Sequence, residues 1–216
     1  LPCTVKDYVF SDFNEQQIQK VTASSNTSFS EVWWFYPSSN SEENDRYVVF
    51  NYEQNVWYYG TLDRTCWVDR GVDSLPIAAG SDHYLYEHES GVDDGSTTPA
   101  TAISSHIESS QMNLGEGDQF AFLSRLIPDI TFRDSTANTP TATFTLSARN
   151  YPGGPYLQAE GDSVVKTASA PVEQFTNQVN TRLRGRSFNL KVETTATETT
   201  WRLGTPRVDV RPDGGR

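Results

Sequence analysis

The chain has 216 residues, with 17 basic and 28 acidic side chains and a formal net charge of −11. Aromatic residues make up 12% of it, which excludes a disordered chain, because such chains lack the large apolar groups that offset the entropy of ordering. No window approaches about 18 consecutive apolar residues, so no membrane span is predicted. The acidic excess argues against a coat for nucleic acid, since neutralising phosphates takes Lys and Arg.

The charge is unevenly distributed along the chain. Residues 1–110 carry 17 acidic and 5 basic side chains, whereas residues 111–216 carry 11 and 12. This asymmetry favours two modules with different partners, although two domains that differ only in surface composition would give the same counts. A stretch rich in Ser, Thr, Pro and Ala near residues 95–102 predicts the boundary, with domains 1–98 and 99–216.

The chain begins at Leu1 and shows no signal-peptide pattern. This start predicts either a fragment of a longer protein or a processed chain. Its only cysteines, Cys3 and Cys66, lie far apart and lack the spacing of a zinc site. We therefore expect two free thiols in a reducing compartment, with neither a disulfide nor a metal.

Two segments have weak helical patterns. Asp12–Val21 (DFNEQQIQKV) combines polar helix formers with an Asp at the N-cap position and predicts one or two turns. Pro171–Val179 predicts a single turn.

Strand patterns dominate residues 29–90. Aromatic and β-branched runs alternate there with turn-forming clusters, and shorter strands are predicted in RTCWVD and LPIAAG. The four longest runs are Glu31–Tyr36, Arg46–Tyr52, Asn55–Gly60 and His83–His88. The second and third predict a tight hairpin. Their order favours one β-propeller blade and part of the next, with an ordinary antiparallel meander as the alternative.

The second half alternates between apolar and polar residues. In TATFTLSAR, the residues Ala142, Phe144, Leu146 and Ala148 share one face, and polar residues occupy the other. FNLKVE, TWRLG and RVDVR continue this pattern, which is typical of antiparallel strands with one solvated face. The predicted fold class is therefore all-β: a partial β-propeller-like antiparallel region followed by an antiparallel β-sandwich.

Motifs for metal binding and catalysis are weak. The only group with a metal-site composition comprises Asp82, His83, Glu87, His88 and Glu89. On a strand, His83 and His88 would point to opposite faces because they are five positions apart. Asp93 and Asp94 in GVDDGS could bind calcium, but a turn is favoured. GxSxG, HExxH and GxxxxGK[ST] do not occur, and we expect no catalytic residue, no metal and no cofactor.

Arginines are concentrated towards the C-terminus. In TRLRGR, alternation places Arg182, Arg184 and Arg186 on one face of a strand. A row of guanidinium groups favours contact with carboxylates, although a solvated face with scattered ion pairs is the alternative. The predicted subunit or interdomain interface residues are Arg182, Arg184, Arg186, Arg202, Arg207 and Arg211, and Arg216 follows them.

Several long segments carry a family resemblance. They are SEVWWFYPSSNSEENDRYVVFNYEQNVWYYGTLDRTCWVDRG, PIAAGSDHYLYEHESGVDDG, HIESSQMNLGEGDQFAFLSRLIPDITF, FTLSARNYPGGPY, PVEQFTNQVNTRLRGR and WRLGTPRVDVRPDGGR. Together they resemble the C-terminal portion of the tail nozzle proteins of short-tailed bacteriophages, also called tail tubular protein B or packaged-DNA stabilisation proteins. The resemblance covers essentially the whole chain.

The resemblance implies a structural protein of the virion tail that is assembled in the host cytoplasm. Members of the family form a ring, usually a hexamer, that extends the portal and adaptor, retains packaged DNA and conducts it during ejection. The implied partners are further copies of the chain, the tail adaptor or other tail proteins, and DNA that passes without tight binding. Two alternatives stay open: a host-receptor or fibre-docking module whose aromatics contact glycan, and a tail-associated glycan hydrolase with a pair of carboxylates.

Overall fold

The computed structural model describes residues 2–113, 116–151, 153–154, 156 and 166–214. Nearly all of its regular elements are strands in antiparallel sheets, which confirms the predicted all-β class. The chain divides into two compact units, residues 1–91 and 92–216. The first unit carries 14 acidic and 5 basic side chains, and the second carries 14 and 12.

The first unit opens with two short helical segments, an α-helix (α1) at Lys6–Ser11 and a 3₁₀ helix at Glu15–Lys20. The prediction of a single helix from Asp12 is therefore wrong at its start. Phe13 forms an isolated β-bridge with Ser38, which interrupts the helical backbone. Asn14 then caps the 3₁₀ helix, because its side chain accepts a hydrogen bond from the backbone N–H of Gln16 at 3.1 Å.

Seven strands follow in this unit. They are β1 Thr22–Asn26, β2 Glu31–Tyr36, β3 Arg46–Asn51, β4 Val56–Thr61, β5 Cys66–Val68, β6 Ile77–Ala79 and β7 Leu85–Glu87. Strands β1–β4 form one antiparallel meander and β5–β7 form a second. The predicted strand His83–His88 is wrong at its ends, because His83 and Glu89 have φ angles of 71° and 62°, outside the extended region.

Stacked aromatic rings join the two meanders. The rings of Trp33 and Trp67 lie 5.2 Å apart at an angle of 13°, and Phe35 packs on Trp67 at 5.9 Å. Val49 and Ala78 complete this buried cluster. The two antiparallel meanders therefore share one apolar cluster.

The second unit contains ten described strands. They are β8 Ser105–Glu108, β9 Met112–Asn113, β10 Ala121–Ile127, β11 Ile130–Thr131, β12 Thr141–Arg149, β13 Thr167–Glu173, β14 Val179–Gly185, β15 Ser187–Thr194, β16 Arg202–Leu203 and β17 Arg207–Pro212. One sheet has the order β13-β12-β15-β8, with β9 also paired to β15. A second sheet has the order β14-β10-β17, and β11 pairs with β16.

Alternation along β12 builds the core of this unit as predicted. Ala142, Phe144, Leu146 and Ala148 are all at most 2% exposed. They pack with apolar residues of the other sheet, chiefly Ala121, Leu123, Leu126 and Leu183. The two sheets therefore enclose one apolar layer, which is the arrangement of a β-sandwich.

The single helical turn predicted for Pro171–Val179 is wrong. Strand β13 runs through Glu173, and a turn follows in which the N–H of Thr176 donates to the Glu173 carbonyl at 3.1 Å. Pro171 is accommodated because β13 is an edge strand that pairs only with β12, so its missing N–H interrupts no second ladder.

Candidate functional site: an arginine face and a glutamate groove

Five arginines share the outward face of the sheet β14-β10-β17, which we call the arginine face. They are Arg125, Arg182, Arg184, Arg207 and Arg211. The register places Phe122 of β10 between Arg184 and Arg211, and it places Arg125 beside Asp209. The core residues Leu123 and Leu183 point the other way. Alternation and pairing thus gather guanidinium groups from three strands that are distant in sequence.

Two of these arginines form ion pairs within the unit. Arg125 donates through Nε to Asp209 Oδ2 at 2.7 Å. Arg184 pairs with the carboxylate of Asp213, and its guanidinium group lies 4.0 Å from the centre of the Phe120 ring. Such partly exposed pairs contribute about 0–1 kcal/mol each to stability. These two ion pairs hold the side chains of Arg125 and Arg184 against the sheet.

The other three arginines carry the excess charge of the face. Arg182, Arg207 and Arg211 are exposed, and none of them forms an ion pair among the residues that the structure describes. A shallow depression of about 620 Å³ lies beside Arg182, with Lys166 in its lining. Burial lowers the pKa of Lys166, and the positive charge of Arg184 lowers it further. The depression is thus lined by three basic side chains, Lys166, Arg182 and Arg184.

The remaining predicted interface arginines are not on the strands of this sheet, although Arg186 packs on the same Phe120 ring as Arg184. Arg186 lies just beyond the end of β14, with its guanidinium group 4.8 Å from the centre of the Phe120 ring. Arg202 lies on β16 in the two-stranded sheet, 3.8 Å from the carboxylate of Asp134. Arg216 lies outside the described residues. Four of the six predicted residues, at positions 182, 184, 207 and 211, therefore share one surface.

A groove in the first unit has the opposite character. It lies between the β1–β2 and β3–β4 turns, has a volume of about 450 Å³, and we call it the glutamate groove. Its lining comprises Ser28, Phe29, Ser30, Glu31, Asn51, Glu53, Gln54, Val56 and Tyr58. A hydrogen bond from the Asn51 side chain to the Phe29 carbonyl, at 3.0 Å, ties the two turns together.

Glu31 is the only buried charged residue in this lining, at 8% exposure. Its two carboxylate oxygens accept hydrogen bonds from Trp33 Nε1 at 2.9 Å and from the Tyr58 hydroxyl at 2.6 Å. Burial raises the pKa of the Tyr58 hydroxyl, and the hydrogen bond and charge of Glu31 raise it further. Burial and the charge of Glu31 likewise raise the pKa of Tyr47. Glu31 is thus the centre of a negative potential.

Glu89 makes the stability of the first unit depend on pH. The residue as a whole is exposed, but its carboxylate accepts a hydrogen bond from the fully buried Asn26 at 3.0 Å. Burial raises the pKa of Glu89 above its ordinary value of 4.5, the hydrogen bond from Asn26 opposes the rise, and the charge of Glu31 adds to it. Protonation therefore favours the folded unit. This stabilisation is complete below the ordinary pKa and is lost as pH rises through the folded pKa.

We expect Glu89→Gln to abolish this contribution, because the amide keeps the acceptor and cannot ionise. As pH rises from about 4.5 to about 8, the free energy of unfolding of the wild type should fall relative to that of E89Q. Urea unfolding monitored by Trp fluorescence measures this free energy at each pH. The control is E87Q, which removes an exposed carboxylate on β7 and should show the same pH dependence as the wild type. Parallel pH profiles for the wild type and E89Q would refute the role of Glu89.

The residues weighed as metal ligands make other contacts. The ring of His88 lies 4.6 Å from Trp67, and Asp82 accepts from the Tyr84 N–H at 3.2 Å. Asp93 accepts from the Glu198 N–H through both carboxylate oxygens, at 2.8 and 2.9 Å, and Asp94 accepts from the Ser96 N–H at 2.9 Å. Within the described ranges, no three His, Cys, Asp or Glu side chains are grouped so that they could hold a metal ion.

Comparison with known proteins adds no further assignment. No protein-family model and no curated protein sequence matches the chain. In the part of the chain that the structure describes, no helix is both long and apolar enough to cross a membrane. The two surfaces must therefore be interpreted from their own chemistry.

Sequence reasoning missed Arg125 and Glu31. AFLSRLI alternates as a strand does, but the register of β10 with its neighbours shifts between Leu123 and Arg125. Strict alternation would place Arg125 on the inward face with Leu123, whereas the shift places it on the outward face. Glu31 begins the aromatic strand EVWWFY, and a charged residue at the buried end of such a strand is the signal that could have identified it.

Proposed function

We propose that this chain is a ring-forming structural protein of a short-tailed phage tail, a nozzle subunit that retains packaged DNA and conducts it during ejection. In this proposal the arginine face of one copy contacts the acidic first unit of the next. The observation that carries the ring contact is the gathering of Arg182, Arg207 and Arg211 on one exposed sheet face without ion pairs among the described residues. The sequence resemblance supports the place in the tail.

Charge complementarity supports contacts between copies. A ring of identical subunits needs two different patches that fit each other, because each subunit uses one patch towards each neighbour. The first unit carries 14 acidic and 5 basic side chains, so it offers carboxylates to a neighbour's guanidinium groups. A net charge of −11 also suits a conduit, because an acidic wall repels the phosphates of passing DNA.

We expect the triple variant R182A/R207A/R211A to associate at least about tenfold more weakly than the wild type, because it loses three intersubunit charge pairs. Sedimentation velocity at low and high salt measures this, and the loss should be largest at low salt. The matched control is R70A/R133A/R202A, which removes three exposed arginines outside the face. Equal association of the two triple variants at both salt concentrations would contradict the proposed contact.

The two alternative functions have their own assays. A host-receptor or fibre-docking module should bind members of a glycan array, and a glycan hydrolase should release reducing ends from a capsular polysaccharide. A passive conduit should do neither. Glycan binding or turnover that survives in variants unable to form a ring would favour one of the alternatives.

A further inference from the structure

We infer that the glutamate groove is a receptor for a guanidinium group, in which the Glu31 carboxylate pairs with an arginine of the arginine face of a second copy. This inference rests on the proposed function and identifies the contact through which neighbouring copies bind. It concerns one pocket in the first unit and one class of side chain.

The groove contains a buried negative charge without a counter-charge. Glu31 is 8% exposed, and its two hydrogen-bond donors, Trp33 and Tyr58, are both neutral. Among the residues that the structure describes, the lining includes no Lys or Arg, and Glu31 takes part in no ion pair. Burying a carboxylate is costly unless a cation pairs with it, and each carboxylate oxygen retains acceptor capacity after one hydrogen bond.

The groove walls match the other properties of a guanidinium group. Phe29 and Tyr58 line the groove and are 50% and 36% exposed, so their rings are available to a cation that enters it. Glu53 lies at the rim and accepts a hydrogen bond from the Ser30 hydroxyl at 3.2 Å. A planar cation can donate to Glu31 and stack on an aromatic ring at the same time, whereas a Lys ammonium group does only the first well.

The second copy is the occupant that the charges favour. Arg182, Arg207 and Arg211 are exposed and make no ion pair within the described part of the chain, so they can extend to a neighbour. The first unit, which holds the groove, is the acidic one. The unpaired cations and the unpaired buried carboxylate thus lie on two different surfaces of the same chain, and a ring contact between copies joins two such surfaces.

The first test is titration of the ¹⁵N-labelled chain with argininamide, at a concentration and salt at which sedimentation velocity shows a monomer. The indole N–H of Trp33 donates to Glu31, so its NMR signal should shift saturably, together with signals from residues 28–31 and 51–58. Citrullinamide, a neutral probe of nearly the same shape, should give no such shift. No saturable shift, an equal response to citrullinamide, or shifts spread outside these segments would overturn the inference.

Two variants of the chain test whether Glu31 binds the argininamide. Glu31→Gln should weaken argininamide binding by about tenfold or more, because it removes the charge and one acceptor. E87Q, which removes an exposed carboxylate outside the groove, should bind as the wild type does. If folded E31Q binds argininamide as tightly as the wild type does, the inference is overturned. If E31Q does not fold, the comparison of argininamide with citrullinamide on the wild type still tests whether the groove binds a guanidinium group.

A second titration identifies the source of the guanidinium group. Unlabelled wild-type chain, added to the labelled chain, should shift the Trp33 signal, and unlabelled R182A/R207A/R211A should not. Equal shifts with both would overturn the assignment to the arginine face. If argininamide binds through Glu31 and no ring forms under any condition, the proposed function fails while the specificity of the groove stands, so the two failures are distinguishable.

Discussion

Replacing Trp67 by Ala is expected to lower the free energy of unfolding of the first unit by about 3–5 kcal/mol. The ring of Trp67 packs on Trp33, Phe35 and His88 at 5.2, 5.9 and 4.6 Å, and its indole N–H donates to the Ser25 carbonyl at 3.1 Å. The substitution would therefore remove the aromatic contacts that join the two meanders and leave a cavity that the short strands β5–β7 cannot refill.

The intrinsic fluorescence of the chain suits this measurement, because four of its five tryptophans lie in the first unit. Urea unfolding of W67A should show a lower midpoint in the fluorescence of the remaining tryptophans. The control is Tyr84→Ala, which removes a ring that is 69% exposed and should change stability by less than about 0.5 kcal/mol. A W67A midpoint equal to that of Y84A would show that the aromatic stack does not hold the meanders together.

In the second unit, Phe144→Ala should lower the free energy of unfolding by about 3–5 kcal/mol. Phe144 is 1% exposed in the middle of β12, which pairs with both β13 and β15, and its side chain lies in the apolar layer between the sheets. Trp201 packs against the same core and is the local fluorescent probe.

The adjacent residue provides a matched control. Thr145 lies on the opposite face of β12, where its hydroxyl shares a 2.9 Å hydrogen bond with Ser169. Thr145→Ala should therefore cost only about 0.5–1.5 kcal/mol. If T145A destabilised the unit as much as F144A, the assignment of faces along β12 would be incorrect.

The strands that could be predicted are those whose side chains alternate or cluster strongly. Alternation along Thr141–Arg149 identified both faces of β12, because period-two burial follows directly from strand geometry. FNLKVE identified the neighbouring strand β15, although Asn189 on its polar face is buried. The aromatic run Glu31–Tyr36 matched β2 in full. In these segments local pattern and tertiary packing favour the same conformation.

Features set by single backbone angles or by long-range pairing could not be predicted. A positive φ at His83 shortens β7, although HYLYEH favours a longer strand. The bridge from Phe13 to Ser38 ends α1, and no pattern near Phe13 indicates that partner. Only part of the arginine face could be predicted. Alternation grouped Arg182 with Arg184 on one face of a strand, but the position of β10 and β17 beside β14 is set by sheet pairing.

The arginine face and the glutamate groove give complementary roles to the two units. A chain with an acidic unit and an arginine-bearing unit can repeat around a ring, since every copy offers both surfaces. In the proposed ring, the same acidity would let a polyanion slide through without binding, because carboxylates repel phosphates.

Electron cryomicroscopy of the native phage particle tests the ring proposal most directly. We expect this chain to lie on the tail axis as one subunit of a closed ring, with each arginine face against the first unit of a neighbouring copy. Density for the chain at an off-axis position, on a fibre or as isolated copies, would contradict it.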